Sequence, residues 1–218
     1  MKILTLISVL SPALLISPVL GADTVIEGHV KMPPSKAPAA AAGRYQQKAG
    51  TVAASEPPVA VIYLEGAFPA KSSSSSTPEK VAQKDYQFLP GILPIQRGSK
   101  IEFPNLDDDY HHVFSYSKTK EFDVGRYRKG ETPPAVLFDK AGLVKVGCEI
   151  HDHMRAHILV LDTPYFAKTD PEGKYRFTLK DVPAGKYTLK AWINEKTTWE
   201  QPVELKEGAT VQADFPVQ

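Results

Sequence analysis

From Val81 onward the chain is dominated by short runs in which apolar and polar residues alternate between Gly and Pro turns. Tyr86 and Phe88 alternate into Pro90-Gly91, Ile92 to Ile95 leads to the Arg97-Gly98 turn, and Lys100 to Phe103 alternates up to Pro104-Asn105. The acidic run Asp107 to Asp109 precedes a strand headed by two histidines, His111 to Tyr116. Phe122 to Gly125 reads as a connector, Ala135 to Phe138 as a strand, and Leu143 to Val146 as a strand that runs directly into Cys148. Ala156 to Leu161 closes this set. A second series follows the turn at Thr169 to Gly173: Tyr175, Phe177 and Leu179 alternate, then Tyr187, Leu189 and Ala191, then Val203 to Leu205 and Val211 to Phe215. Period-two alternation with this density of turns predicts an all-β chain built of sandwiches or barrels. In the second series only one face of the sheet is apolar, as in an antiparallel sheet laid over a core.

The first third of the chain is less regular. Strands are predicted at Thr24 to Val30 and Val59 to Leu64. Between them, Met32 to Glu56 is rich in Pro and Ala and reads as an extended loop, and Ser72 to Ser76 reads as a flexible tract. The start of the chain has the pattern of a secretory signal: Lys2, an apolar stretch from Ile3 to Leu20, and small residues at Gly21 and Ala22 before Asp23. That pattern predicts export to the periplasm, with no membrane-spanning segment once the signal is removed.

Composition narrows the function. The 26 basic and 25 acidic residues leave a formal net charge of +1, which offers no electrostatic footprint for nucleic acid. The 19 prolines outnumber the 14 glycines and favour strands joined by stiff turns. The single cysteine, Cys148, is unusual for an exported protein, since it has no partner in the chain for a disulfide.

The neighbours of Cys148 point to a ligand role. His151 lies three residues on and Met154 three residues after that, between two strand-like runs. A thiolate, an imidazole and a thioether within seven residues suit copper, and two His with one Cys and a weak axial Met form the blue-copper set. The second imidazole would come from the His111-His112 pair, of which strand alternation lets only one face inward. His153 reads as a loop residue facing solvent, and the run Asp107 to Asp109 as a solvated turn.

The segment Asn105 to Ser115 and the loop Cys148-x-x-His151-x-x-Met154 resemble the ligand segments of the cupredoxins, and the loop resembles that of amicyanin. The resemblance spans about Val81 to Asp162 and extends to exported methylamine-utilisation-type proteins. It implies a Greek-key sandwich holding one type I copper, with His111, Cys148, His151 and Met154 as ligands. It implies a carrier of single electrons between a donor and an acceptor protein, not an enzyme. The alternative is a protein that binds or delivers copper without redox turnover. Two residues depart from the pattern: His112 stands where Asn is common, and His153 lies inside the loop. Glu149 is a further candidate oxygen donor. The stretch from Thr163 to Gln218 resembles a different family, the transthyretin-like sandwich of carboxypeptidase regulatory-like modules. The expected organisation is therefore a signal over 1–22 and strands and loops over 23–80. A cupredoxin-like copper domain then covers 81–162, and a second small sandwich 163–218. The family's opening strands also resemble Thr24 to Val30 and Val59 to Gly66, so the 23–80 segment would complete that second sandwich.

Overall fold

The computed structural model describes residues 22–32, 56–66, 68 and 77–216. The signal-like segment, the serine tract and nearly all of the Pro/Ala-rich stretch lie outside these. Among the described residues the chain is all-β, as its alternation predicts. Two strands come first, β1 (Thr24–His29) and β2 (Val61–Glu65). The middle of the chain forms β3 (Glu79–Lys80), β4 (Ala82–Lys84), β5 (Gln87–Leu89), β6 (Ile92–Gln96), β7 (Lys100–Glu102), β8 (His111–Ser117), β9 (Lys120–Tyr127), β10 (Val136–Leu137), β11 (Gly142–Cys148) and β12 (Arg155–Leu161). The last part forms β13 (Phe166–Lys168), β14 (Lys174–Leu179), β15 (Gly185–Asn194), β16 (Thr197–Leu205) and β17 (Thr210–Gln212).

The early strands pair with the late ones. β1 lies between β14 and β17, and β2 lies between β13 and β15, with β16 beyond. Their inward residues, among them Ile26, Ile62, Leu64, Leu179, Leu189 and Leu205, share one core. The middle strands enclose a second core. Its main sheet runs β6-β12-β11-β8-β9, faced by β10-β7-β3 and the hairpin β4-β5. Phe88, Phe103, Val113, Phe138, Val144, Val146, Cys148 and Met154 are buried in it.

The two parts meet through outward faces. On β12, Ala156, Ile158 and Val160 point into the second core, while Leu159 and Leu161 pack with Val61 and Trp192 in a third cluster. A strand covered on both faces explains the unbroken apolar run from Ile158 to Leu161. Glu195, in the turn after β15, reaches across: it bonds His157 Nε2 at 2.8 Å and pairs with Lys145.

One sequence expectation fails. Phe122 to Gly125 is not a connector but the middle of β9, antiparallel to β8. Exposed Glu121 and Asp123, with Gly125 at φ +74°, hide its apolar side, and a register shift opposite His112/Phe114 breaks the alternation.

Candidate metal centre

Two strand ends and the loop beyond one of them build the site. On β8, His111, Val113 and Ser115 are buried while His112, Phe114 and Tyr116 face outward, so alternation turns His111 inward. On β11, Val144, Val146 and Cys148 take the inward positions. β8 and β11 are neighbours, with Cys148 opposite Val113 in the ladder, so the thiol arrives beside His111 across 37 positions of sequence. Beyond Cys148 the chain turns at once. Met154 N–H donates to His151 O at 2.9 Å, closing the loop that brings His151 back over the sulfur.

The three donor atoms face one another. Cys148 Sγ lies 3.8 Å from His111 Nδ1 and 3.6 Å from His151 Nδ1, and the two Nδ1 atoms are 3.1 Å apart. Bonds of about 2.0 Å to nitrogen and 2.3 Å to sulfur, spread around one ion, separate such donors by about 3–4 Å. Among the described residues this is the one group of three His, Cys or carboxylate donors close enough to hold a cation. Met154 is buried in the same apolar cluster as Cys148.

Hydrogen bonds set the state of the donors. Asp107 Oδ2 stands 2.9 Å from His111 Nε2. A carboxylate can only accept, so Nε2 carries a proton and Nδ1 is the ring nitrogen that faces the sulfur. Burial works against a charge on His111, but hydrogen bonds to Cys148 and Asp107 outweigh it and raise its pKa. Burial would also raise the Cys148 pKa. Hydrogen bonds from His111 and from the backbone N–H groups of His112, Ile150 and His151 reverse this and hold it below the usual thiol value. His151 is held below the usual imidazole value by burial and by the nearby His111. A thiol biased toward thiolate, beside an imidazole that accepts protons, releases protons to a metal readily.

The remaining candidates are engaged elsewhere. The sulfur's N–H donor from the neighbouring strand is His112, at 3.5 Å. Asn105 serves the turn before β8, its side chain bonding Asp109 O, Tyr127 O and Asp107 N–H. The His112 ring points outward, with Nε2 2.6 Å from Asp123. Glu149 bonds Arg126 at 2.9 Å and lies 3.4 Å from His112 Nδ1. His153 does not face solvent alone: its Nε2 is 3.0 Å from Tyr86 O. Two participants are not marked as site residues by the sequence pattern, which assigns one to a solvated turn and the other to an alternating strand. One is Asp107, whose carboxylate also accepts the Asp85 N–H at 2.6 Å and the Tyr86 N–H at 3.1 Å. The other is Tyr86, whose ring stands edge-on to His151 and His111 at 5.1 and 6.0 Å between centroids.

No protein-family model and no curated protein matches the chain. Among solved structures, it is similar to a copper-containing nitrite reductase from Thermus scotoductus SA-01, at 22% identity over 45% of this chain and 26% of that one, with a TM-score of 0.39. It is similar to a purple cupredoxin from Nitrosopumilus maritimus at 18% identity over 38% of this chain and 99% of that one, with a TM-score of 0.34. It is also similar to a reduced amicyanin variant at 17% identity over 46% of this chain and 98% of that one, with a TM-score of 0.37. The chain thus spans about a quarter of the reductase and nearly all of the two cupredoxins, and each likeness covers less than half of the present chain.

Proposed function

We propose that the chain holds one copper ion between His111, Cys148 and His151, with Met154 as a weak axial ligand, and carries single electrons between redox proteins in the periplasm. The observation that carries this reading is the spacing of the three donor atoms, 3.1, 3.6 and 3.8 Å apart. Bound copper would supply a one-electron couple whose potential depends on the thiolate and its surroundings. The protein's own part is positional. Asp107 fixes the proton of His111, and the His112 N–H draws charge from the sulfur. Both ligand-bearing strands lie within one sheet, so the donors change place little when the electron arrives or leaves.

A carrier is favoured over an enzyme because two imidazoles, a thiolate and a thioether leave no position for substrate. The alternative of copper delivery without redox turnover draws on His112 and His153 as spare ligands, and both rings have partners of other kinds. The second sandwich is assigned as a transthyretin-like module completed by β1 and β2, which presents the copper domain without taking part in its chemistry.

The test is optical. Mature protein loaded with Cu(II) should show an intense visible sulfur-to-copper band that disappears on reduction and returns on oxidation. Cys148→Ala should abolish it. A wild type with no such band, or a Cys148→Ala protein that keeps it, contradicts the assignment. A colourless, tightly held Cu(I) that resists oxidation would favour delivery.

A further inference from the structure

We propose that Tyr86 is a shield residue: its ring, held on a left-handed turn, closes one side of the His111–His151 pair and keeps small exogenous ligands from the metal position. The proposal rests on the copper reading for the identity of the metal, while the geometry of the shield stands without it.

The backbone is the starting point. β4 and β5 pair with Lys84 opposite Gln87, which leaves Asp85 and Tyr86 as a two-residue hairpin loop. Their φ angles are +53° and +57°. Positive φ at both positions is the type I′ geometry, for which Asp suits the first place and Gly the second. A bulky tyrosine at the second place is an outlier, and such outliers persist where the surroundings over-determine them.

The surroundings that do so are the segments carrying the ligands. The Asp107 carboxylate accepts both N–H groups of the turn, at 2.6 and 3.1 Å, while its Oδ2 also contacts His111 Nε2. The loop that follows Cys148 and carries His151 contributes His153, whose Nε2 lies 3.0 Å from Tyr86 O. The Tyr86 hydroxyl donates to Asp109 at 3.3 Å. Turn, first histidine and loop are therefore fastened to one another, and the ring they position meets both candidate ligand rings edge-on, with interplanar angles of 73° and 86°. Cys148 and His111 are buried, and His151 is half-buried. A glycine here would form the turn more easily, so the turn itself does not call for a tyrosine.

Tyr86→Gly separates shielding from folding, because it installs the residue the turn favours while removing the ring. Its thermal midpoint should equal or exceed that of the wild type. In the metal-free protein, Cys148 of Tyr86→Gly should react with an aromatic disulfide reagent about tenfold faster or more, since access no longer waits on local opening. Tyr86→Phe should react like the wild type. In the Cu(II)-loaded protein, azide should shift the visible band and the electron paramagnetic resonance spectrum of Tyr86→Gly, and leave the wild type and Tyr86→Phe unchanged. Equal thiol rates and equal azide responses in wild type and Tyr86→Gly overturn the proposal, as does a Tyr86→Phe protein that behaves like Tyr86→Gly. A wild type without a sulfur-to-copper band overturns the copper reading instead. The two failures are distinguishable, because the thiol comparison needs no metal.

Discussion

Asp107 gathers three donors around one carboxylate, and its position four residues before His111 makes the contact to Nε2 possible. Outer partners of this kind fix ring orientation and raise ligand basicity, and their loss weakens metal binding by about 10–100-fold. Asp107→Asn should therefore weaken Cu(II) affinity by about that factor in a chelator competition, because an amide cannot serve all three donors. An unchanged affinity would show that His111 is oriented by packing alone. His112 contributes through its backbone, so His112→Asn should retain the N–H to Cys148 and with it the intensity of the sulfur-to-copper band; loss of the band would contradict that. At this scale the sequence was only partly legible. The candidate donor types and their spacing are explicit in the chain, whereas three adjacent aspartates are chemically alike. Only the path of the turn decides that Asp107 is engaged inward while Asp108 pairs with Lys129 at the surface.

Elements explain why the donors converge. Strand alternation sends His111 and Cys148 to one face, and a shared ladder between β8 and β11 brings them level. Alternation was readable, and so were most strands. The register shift in β9 was not, nor was the turn at Asp85-Tyr86, which lacks the Gly or Asn that announces such geometry. That turn costs about 1–2 kcal/mol per left-handed residue, a strain offset by its hydrogen bonds to Asp107. Close approach also governs the other sandwich. A Cβ at Gly28 of β1 would stand 1.9 Å from Ala213 O, just past β17. Gly28→Ala should thus prise β17 from β1 and destabilise the fold by about 1–3 kcal/mol, read as a lower thermal midpoint. An unchanged midpoint would mean that the strand end yields freely.

Across the whole molecule, two cores are joined by the outward faces of β2, β12 and β15 and by Glu195. The pairing of β1 and β2 with the distant β14 and β15 was legible only through a family resemblance of the early strands, since nothing in a short apolar run itself names its neighbour. Hydrogen bonds from Lys145 and His157 hold the Glu195 pKa below the usual glutamate value. A carboxylate whose pKa is lower in the folded state stabilises the fold above its unfolded pKa, about 4.3, and loses that contribution as pH falls through the folded value. Glu195→Gln should accordingly lower the thermal midpoint near neutral pH, with the difference from wild type narrowing as pH falls below about 4.3 and vanishing only beneath the lowered folded value. A difference that grows in acid would contradict this account of the junction. The central claim is that one ion sits among three side chains drawn from β8, β11 and the loop beyond it. X-ray absorption spectroscopy of the copper-loaded protein tests it most directly. The predicted result is one sulfur and two nitrogen neighbours at about 2.0–2.3 Å, with the sulfur lost in Cys148→Ala. A first shell of nitrogen and oxygen alone in the wild type would contradict it.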